Sequence, residues 1–527
     1  MKNKSYPLYE VNRPSSVSDM LKVKAEKMPD AVAFRYRKGR DTIEEKTYGQ
    51  VLKEVKQAAS WVEQNYGRGN HIAVIGENSY EWLIAFFAVV TSGNVAVPID
   101  KELPASEVEW LIGKAEAKAA FISKTYSDLV ANIEGLDTMT LKKLQTVQGD
   151  NAEEYQLYEP KDEELACIFF TSGTSGRSKG VMLTHGNIAT EIYGPSSMFD
   201  PEGTSTFVVL PFHHAFGLNV AVLMAYNYGV TIFLNKSLKK VKDDLLLAKP
   251  DVIMLVPLFV EVFYKQIMDN IKKSGREKKV KTGIRLSNMM LKVGIDRRRT
   301  IFKEIIDSFG GRLKYIISGG AHLDSFYVKA FRNFGIEILN GYGTTECSPC
   351  VAINRNYFKK DGSVGLLIPG MEARVSDEGE VQLKGPVVMK GYYNDPEVTA
   401  EVLQDGWYST GDLGYIDKDG FIFLTGRAKN LIILSNGENI SPEELENDFH
   451  KDPAVNEVLV YDKDHKIIAE IYPDEEHMGD TAYFEALAEK INKGRPVYKQ
   501  IASVKLRDTE FIKNTSKKIV RYKNIPS

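Results

Sequence analysis

Short apolar runs recur along the chain, each followed by a stretch with helical spacing of apolar and polar residues. "HIAVIG" (71–76) precedes "SYEWLIAFFAVV" (79–90), and "NVAVPID" (94–100) precedes "SEVEWLIGKA" (106–115). A buried strand followed by a helix, repeated, predicts parallel α/β layers. "LACIFF" (165–170) reads as a further buried strand. The longest apolar runs are Trp82–Val90 and Val252–Val260, and the second contains Pro257. Both are much shorter than a membrane span requires; they read as a core helix and as a buried strand entering a loop. No segment repeats at a fixed period, which argues against a solenoid.

The texture changes near residue 420. "GYIDKDGFIFLTG" (414–426) reads as a β-hairpin around Lys418–Gly420. A strand, a turn and a helix follow. Ser441 is the expected N-cap of that helix, with Pro442 in its first turn and Glu444 completing a capping box. Short strands and helices fill the remainder, an α+β unit. A boundary at Arg427–Asn430 divides the chain into 1–427 and 428–527.

Length and composition refine this picture little. A chain of 527 residues is too long for one core and implies two to four domains or subdomains. Hydrophobic residues at 43% and charged residues at 26% are ordinary for a globular protein. The net charge of −3 gives no global field for nucleic acid, so no nucleic-acid partner is expected and membrane contact is at most peripheral. A basic stretch at Lys272–Arg299 reads as a solvated helical face or loop, the alternative being a docking patch for an anionic group or a membrane surface. The start, "MKNKSYPLYEV", lacks the apolar stretch of a signal peptide. Three cysteines cannot build a disulfide framework. Two of them form "CSPC" (347–350), without the second pair that a zinc site needs. A reducing, cytoplasmic compartment is expected.

Four stretches suit a nucleotide. "TSGTSGRSKG" (171–180) combines three glycines, five hydroxyls and two cations. Glycine lets backbone amides close on an anion, and consecutive amides form a nest for phosphate oxygens. Thr171, Ser172, Thr174 and Ser175 add donors, and Lys179 adds a mobile charge. The spacing is not that of a Walker loop, because Ser178 precedes Lys179 and Gly180 follows it. In "NGYGTTECSP" (340–349), Tyr342 stands between glycines and offers a face for a nucleobase. Glu346 beside a triphosphate suits Mg²⁺, which prefers oxygen ligands and often bridges substrate phosphates. In "WYSTGDLG" (407–414), Asp412 could accept bonds from a ribose diol, and Arg427 of "TGRAKN" lies beyond the hairpin.

With "PFHHAFG", "SGGAHL", "GPVVMKGYYNDPEVT", "GENISPEELE" and "KNTSKKIVR" in order, the sequence resembles the adenylate-forming superfamily of acyl-CoA synthetases, firefly luciferase and non-ribosomal adenylation domains. The likeness covers nearly the whole chain and is greatest to long-chain fatty acyl-CoA synthetases. It implies a large N-terminal part of layered α/β subdomains and a small mobile α+β C-terminal domain. It also implies two half-reactions. A carboxylate, expected to be a medium- or long-chain fatty acid, displaces pyrophosphate from ATP, and a thiol then displaces AMP from the acyl-adenylate.

The resemblance also implies the roles. Lys518 would reach the carboxylate and α-phosphate, Thr345 the same phosphate, and Glu346 with Thr174 would hold Mg²⁺. The loop Thr171, Ser172, Gly173, Thr174, Ser175, Gly176 and Lys179 would cradle the phosphates. Gly320, Ala321, Asn340 and Tyr342 would surround adenine, and Asp412 and Arg427 would bind ribose. His214 would flank the acyl group, Lys429 would be the hinge, and Gly437 and Glu438 would border the coenzyme A thiol passage. Two positions depart from the pattern: Lys517 where glycine is usual and Ser178 where proline is usual. Free coenzyme A is the expected acceptor; the alternatives are a carrier-protein phosphopantetheine, or a nucleotide-binding protein with impaired catalysis. No aspartate stands in "LPFHHAFGLNV" to pair a substrate ammonium, which argues against an amino acid.

Overall fold

The computed structural model of the protein describes residues 7–39, 42–147, 149–150, 152–171, 178–433, 439–463, 466–513 and 519–525. The chain divides into two compact units. The larger comprises Met1–Ala373, Leu383–Tyr408 and Lys418–Phe421; the smaller comprises Arg374–Gln382, Ser409–Asp417 and Ile422–Ser527.

Two sheets organise the larger unit. The seven-stranded one runs Gly391–Tyr392, Lys179–Thr184, Leu165–Thr171, Val95–Ile99, His71–Ile75, Ala119–Ile122, Asp137–Thr140. The strands from Leu165 onward pair in parallel, and the two at the other edge are antiparallel. The apolar runs read from the sequence are its inner strands. They can be apolar throughout because parallel strands are covered on both faces. "SYEWLIAFFAVV" is the expected core helix, Tyr80–Thr91, with every residue but Glu81 buried and Ser79 capping it through Trp82 N.

The second sheet has nine strands. Its middle pairs in parallel in the order Glu337–Tyr342, Tyr315–Ser318, Val252–Leu255, Ser205–Val208, Thr231–Leu234, Val32–Arg37. One expectation changes here. The run Val252–Val260 is a strand ending at Leu255 and then the first turn of the helix Pro257–Lys273, not a strand entering a loop. Pro257 occupies the one helical position where a missing N–H is harmless.

In the smaller unit, Ile422–Arg427 pairs antiparallel with the strand that ends at Ile416, the expected hairpin. Val455–Lys463 and Lys466–Pro473 pair antiparallel, and Ser503–Leu506 joins them in parallel. The helices Pro442–Phe449 and Thr481–Asn492 share an apolar core with these strands. The capping box expected at Ser441 does not form. Its hydroxyl donates to Glu443 Oε2 at 2.8 Å, while Glu444 pairs with Arg495 at 3.0 Å. The neighbouring carboxylate captures the hydroxyl, and the guanidinium captures the glutamate.

Cys167, Cys347 and Cys350 are buried, and none is in a disulfide. Among the described residues no three His, Cys, Asp or Glu side chains converge as a metal cage. No helix among them is long and apolar enough to cross a membrane.

Candidate active site

Parallel strands gather chemistry at their carboxyl ends, where the chain leaves each strand for a loop. Ser318, the last residue of its strand, is opposed to Asn340 near the carboxyl end of the neighbouring strand. Both are buried, and neither Ser318 Oγ nor Asn340 Oδ1 has a hydrogen-bond partner. A buried acceptor left unmet is costly unless a ligand supplies the donor. Just beyond Ser318, Gly320 takes a left-handed φ of 83° and is exposed with Ala321, so the backbone turns outward at the expected nucleobase wall.

Tyr342 closes its strand and is buried, with its carbonyl accepting from Val351 N at 2.8 Å. Gly343 follows because nothing larger fits: a Cβ there would lie 1.5 Å from Pro349 O. This close approach folds the chain into a short 3₁₀ turn, Thr345–Cys347. Met389 N donates to the Glu346 carbonyl at 2.8 Å and fixes that turn.

The Glu346 carboxylate is itself positioned. Tyr392 OH donates to Oε1 at 2.9 Å. Lys179 Nζ lies 5.0 Å from the centroid of the same Tyr392 ring, a cation–π contact. Tyr392 therefore joins two residues that the sequence assigned separately, one to phosphate and one to metal. Burial first, and then the Glu346 charge, push the Tyr392 phenol well above its ordinary pKa, so it stays a donor. The buried Tyr408 hydroxyl is raised by the same two causes. Thr171 pairs with Lys179 on neighbouring antiparallel strands. Ser178 Oγ donates to Glu107 Oε1 at 3.4 Å.

"PFHHAFG" places His214 beside His213, with ring centroids 4.3 Å apart. His213 Nε2 lies 3.4 Å from Asp100 Oδ2. Burial, and then the Lys101 charge, lower the His213 pKa to about 3. That imidazole is therefore neutral at any working pH. Gly217 is needed because a Cβ would lie 2.1 Å from Pro211 O.

In the smaller unit, Asp412 and Arg427 stand directly opposite on paired strands, with Arg427 Nε 2.7 Å from Asp412 Oδ1. Asp412 is buried, while the Arg427 side chain is 44% exposed. Asp412 N donates to Thr410 Oγ1 at 3.0 Å. Lys429 lies in the 3₁₀ turn Ala428–Asn430 that follows. The assignments to Lys518, Ser172, Gly173, Thr174, Ser175, Gly176, Gly437 and Glu438 lie outside the described residues, as does the departure at Lys517.

Residues 21–393 match the family described as AMP-binding enzyme. The chain belongs to that family. Among curated relatives of this AMP-binding enzyme is the long-chain-fatty-acid–CoA ligase FadD15 of Mycobacterium bovis, 29% identical over 425 residues, a match that covers 74% of this chain and 71% of that protein. The long-chain-fatty-acid–CoA ligase 6 of Rattus norvegicus is 26% identical over 498 residues, 84% of this chain and 71% of its own. Among solved structures, the anthranilate CoA ligase AuaEII in complex with anthranoyl-AMP superposes with a TM-score of 0.80 at 20% identity, covering 99% of this chain and 98% of that one. The o-succinylbenzoate CoA synthetase of Bacillus subtilis, in complex with ATP and magnesium ion, gives 0.75 at 21% identity, covering 96% and 98%. These likenesses bear out the superfamily resemblance and the α/β fold, with a large N-terminal and a small C-terminal part, that the AMP-binding enzyme was expected to have.

Proposed function

We propose that this chain is an AMP-forming acid–CoA ligase that activates a medium- or long-chain fatty acid. The observation that carries the proposal is the family match over residues 21–393, to which the curated relatives named as long-chain-fatty-acid–CoA ligases add the substrate class. A carboxylate oxygen attacks the α-phosphorus of ATP, the bond to the bridging oxygen breaks, and pyrophosphate leaves. The coenzyme A thiol then adds to the acyl carbon, AMP leaves, and the thiol proton passes to solvent.

The first step joins two anions, so positioning and electrostatic stabilisation are what the protein must supply. Lys518 is assigned to the carboxylate and α-phosphate, and Thr345 to the same phosphate. Lys179 is assigned to the phosphates with the loop 171–176. The unmet Ser318 Oγ and Asn340 Oδ1 fit a base that brings its own donor, with Tyr342 as its stacking face. Asp412 and Arg427 are assigned to ribose, His214 to the acyl group, Gly437 and Glu438 to the thiol passage, and Lys429 to the hinge at the boundary after residue 427.

The donor set fits magnesium: one oriented carboxylate, Glu346, with its Oε1 held by Tyr392, supplies the hard oxygen that this ion prefers. Thr174 is assigned as its second protein ligand. When bound, the ion would neutralise phosphate charge. Free coenzyme A is the assigned acceptor and the cytoplasm the assigned compartment.

The test is acid-dependent exchange of labelled pyrophosphate into ATP, followed by thioester formation with coenzyme A across acids of graded length. Exchange rising with chain length supports the reading. ADP as product, or no exchange with any acid, sinks it.

A further inference from the structure

The basic stretch that the reaction leaves unused is a structured surface. Helix Glu277–Lys292 shows three faces. Val280 and Ile284 pack on the core of the larger unit, with Ser287 buried between turns. Lys278, Lys281, Arg285 and Lys292 recur at helical spacing along a second line. Leu286, Met289 and Val293, at i, i+3 and i+7, form a third line and are 52%, 66% and 74% exposed. Beyond the left-handed Gly294, Ile295 is 47% exposed.

A solvated face needs no apolar residues at helical spacing, and a single exposed leucine would require no explanation. Three in line beside a row of cations match a helix that lies in a membrane interface. Residues 272–299 hold eleven Lys or Arg against two acidic residues, in a chain of net charge −3. Arg276 and Arg298 are engaged by Glu304 and Asp296, but Lys278, Lys279, Lys281, Arg285 and Lys292 make no ion pair among the described residues.

We propose that helix Glu277–Lys292 docks the protein on an anionic lipid bilayer, with Leu286, Met289 and Val293 below the headgroups and Lys278, Lys281, Arg285 and Lys292 at the phosphates. A nucleic acid would satisfy the cations and leave the apolar line in water. A second copy would bring the same positive charge against itself. A bilayer with anionic headgroups satisfies both lines at once. The proposal stands apart from the proposed reaction: pyrophosphate exchange reads the chemistry, and vesicle binding reads this surface.

The test uses the full chain with vesicles of mixed phosphatidylglycerol and phosphatidylcholine, against vesicles of phosphatidylcholine alone, by flotation. Each Lys or Arg near an anionic surface contributes roughly five-fold in partition. At least a ten-fold preference for the anionic vesicles, weakened at high salt, is expected. Met289→Glu with Val293→Glu should lower binding about ten-fold or more, because the buried apolar area sets the strength. Replacing Lys278, Lys281, Arg285 and Lys292 by alanine should remove the lipid preference. Both sets are on the surface, and unchanged circular dichroism and pyrophosphate exchange would show that they fold. Absence of vesicle binding by the parent chain, or binding indifferent to both sets, overturns the proposal. So does a concentration-dependent dimer that Met289→Glu abolishes.

Discussion

Tyr392 OH donates to Glu346 Oε1 at 2.9 Å, across 46 residues of sequence. The bond leaves the carboxylate oriented before any substrate arrives, and preorganisation of this kind is where an active site gains rate. Tyr392→Phe removes the bond and keeps the ring that Lys179 faces. Pyrophosphate exchange should fall about ten-fold, with a higher magnesium concentration needed for half-maximal rate. Stability should fall by only about 1 kcal/mol, as for one lost hydrogen bond. An unchanged magnesium dependence would leave Tyr392 with a packing role alone.

Asn340 Oδ1 is buried without a partner, so its truncation removes no internal bond at that atom. Asn340→Ala should raise the KM for ATP about ten-fold, the range expected when one ligand hydrogen bond is lost. Thermal unfolding should move little. A large drop in Tm with an unchanged KM would assign Asn340 to structure.

Much of this was legible in the sequence, and the rest was hidden for identifiable reasons. Tyr342, Thr345 and Glu346 are neighbours in one motif, so the sequence alone singles them out together, and the structure sets them on one strand end and the turn after it. Tyr392 stands in "GYYNDP" beside Tyr393, and the two side chains serve different partners: Tyr393 OH donates to Glu116 Oε2 at 2.7 Å. Which tyrosine faces Glu346 is decided by the pairing of Gly391–Tyr392 with Val181–Met182, since neighbours on a strand point to opposite faces. A strand that pairs with residues about 210 positions upstream leaves no local trace. Ser441 failed as a capping box for the opposite reason: the local signal was present, and Glu443 and Arg495 outcompeted it.

Gly343 is a steric requirement. The Cβ of Gly343→Ala would lie 1.5 Å from a backbone oxygen, which no rotamer relieves. The Thr345–Cys347 turn must shift, at an expected cost of about 3 kcal/mol or more. Urea unfolding measures it. Alanine at Gly341, where the nearest atom is 3.4 Å away, is the milder control.

His213 gives a pH prediction with a defined sign. Its pKa falls from 6.5 in the unfolded chain to about 3 in the fold. Between those values the unfolded state binds the extra proton, so this residue's contribution to stability is present above 6.5 and is lost as pH falls toward 3. The raised pKa of the buried Glu191 acts in the opposite direction, so the whole-protein curve mixes signs. The difference between the parent and His213→Gln isolates the histidine. It should shift in favour of the variant by up to about 1.4 kcal/mol per pH unit on acidification below 6.5. A constant difference would mean that His213 is not held neutral.

Asp412 and Arg427 allow a last separation, between holding a ligand and holding a hairpin. The Asp412 carboxylate is 7% exposed and its partner guanidinium 44%. Removing the cation leaves a buried anion with the Arg427 charge gone, whereas removing the anion leaves a cation that water can reach. Arg427→Ala should therefore destabilise by about 1–2 kcal/mol, less than a fully buried pair would lose, because the arginine is partly solvated. Asp412→Asn should cost less stability than this. If both residues serve the ribose, both variants should raise the KM for ATP, and neither should restore it with 2′-deoxy-ATP, which lacks one hydroxyl for them to hold. If the pair only closes the hairpin, the KM should be unchanged at temperatures where each variant is folded. Measuring ATP and 2′-deoxy-ATP side by side decides between them, because loss of discrimination between the two nucleotides is an effect that a weakened hairpin does not produce.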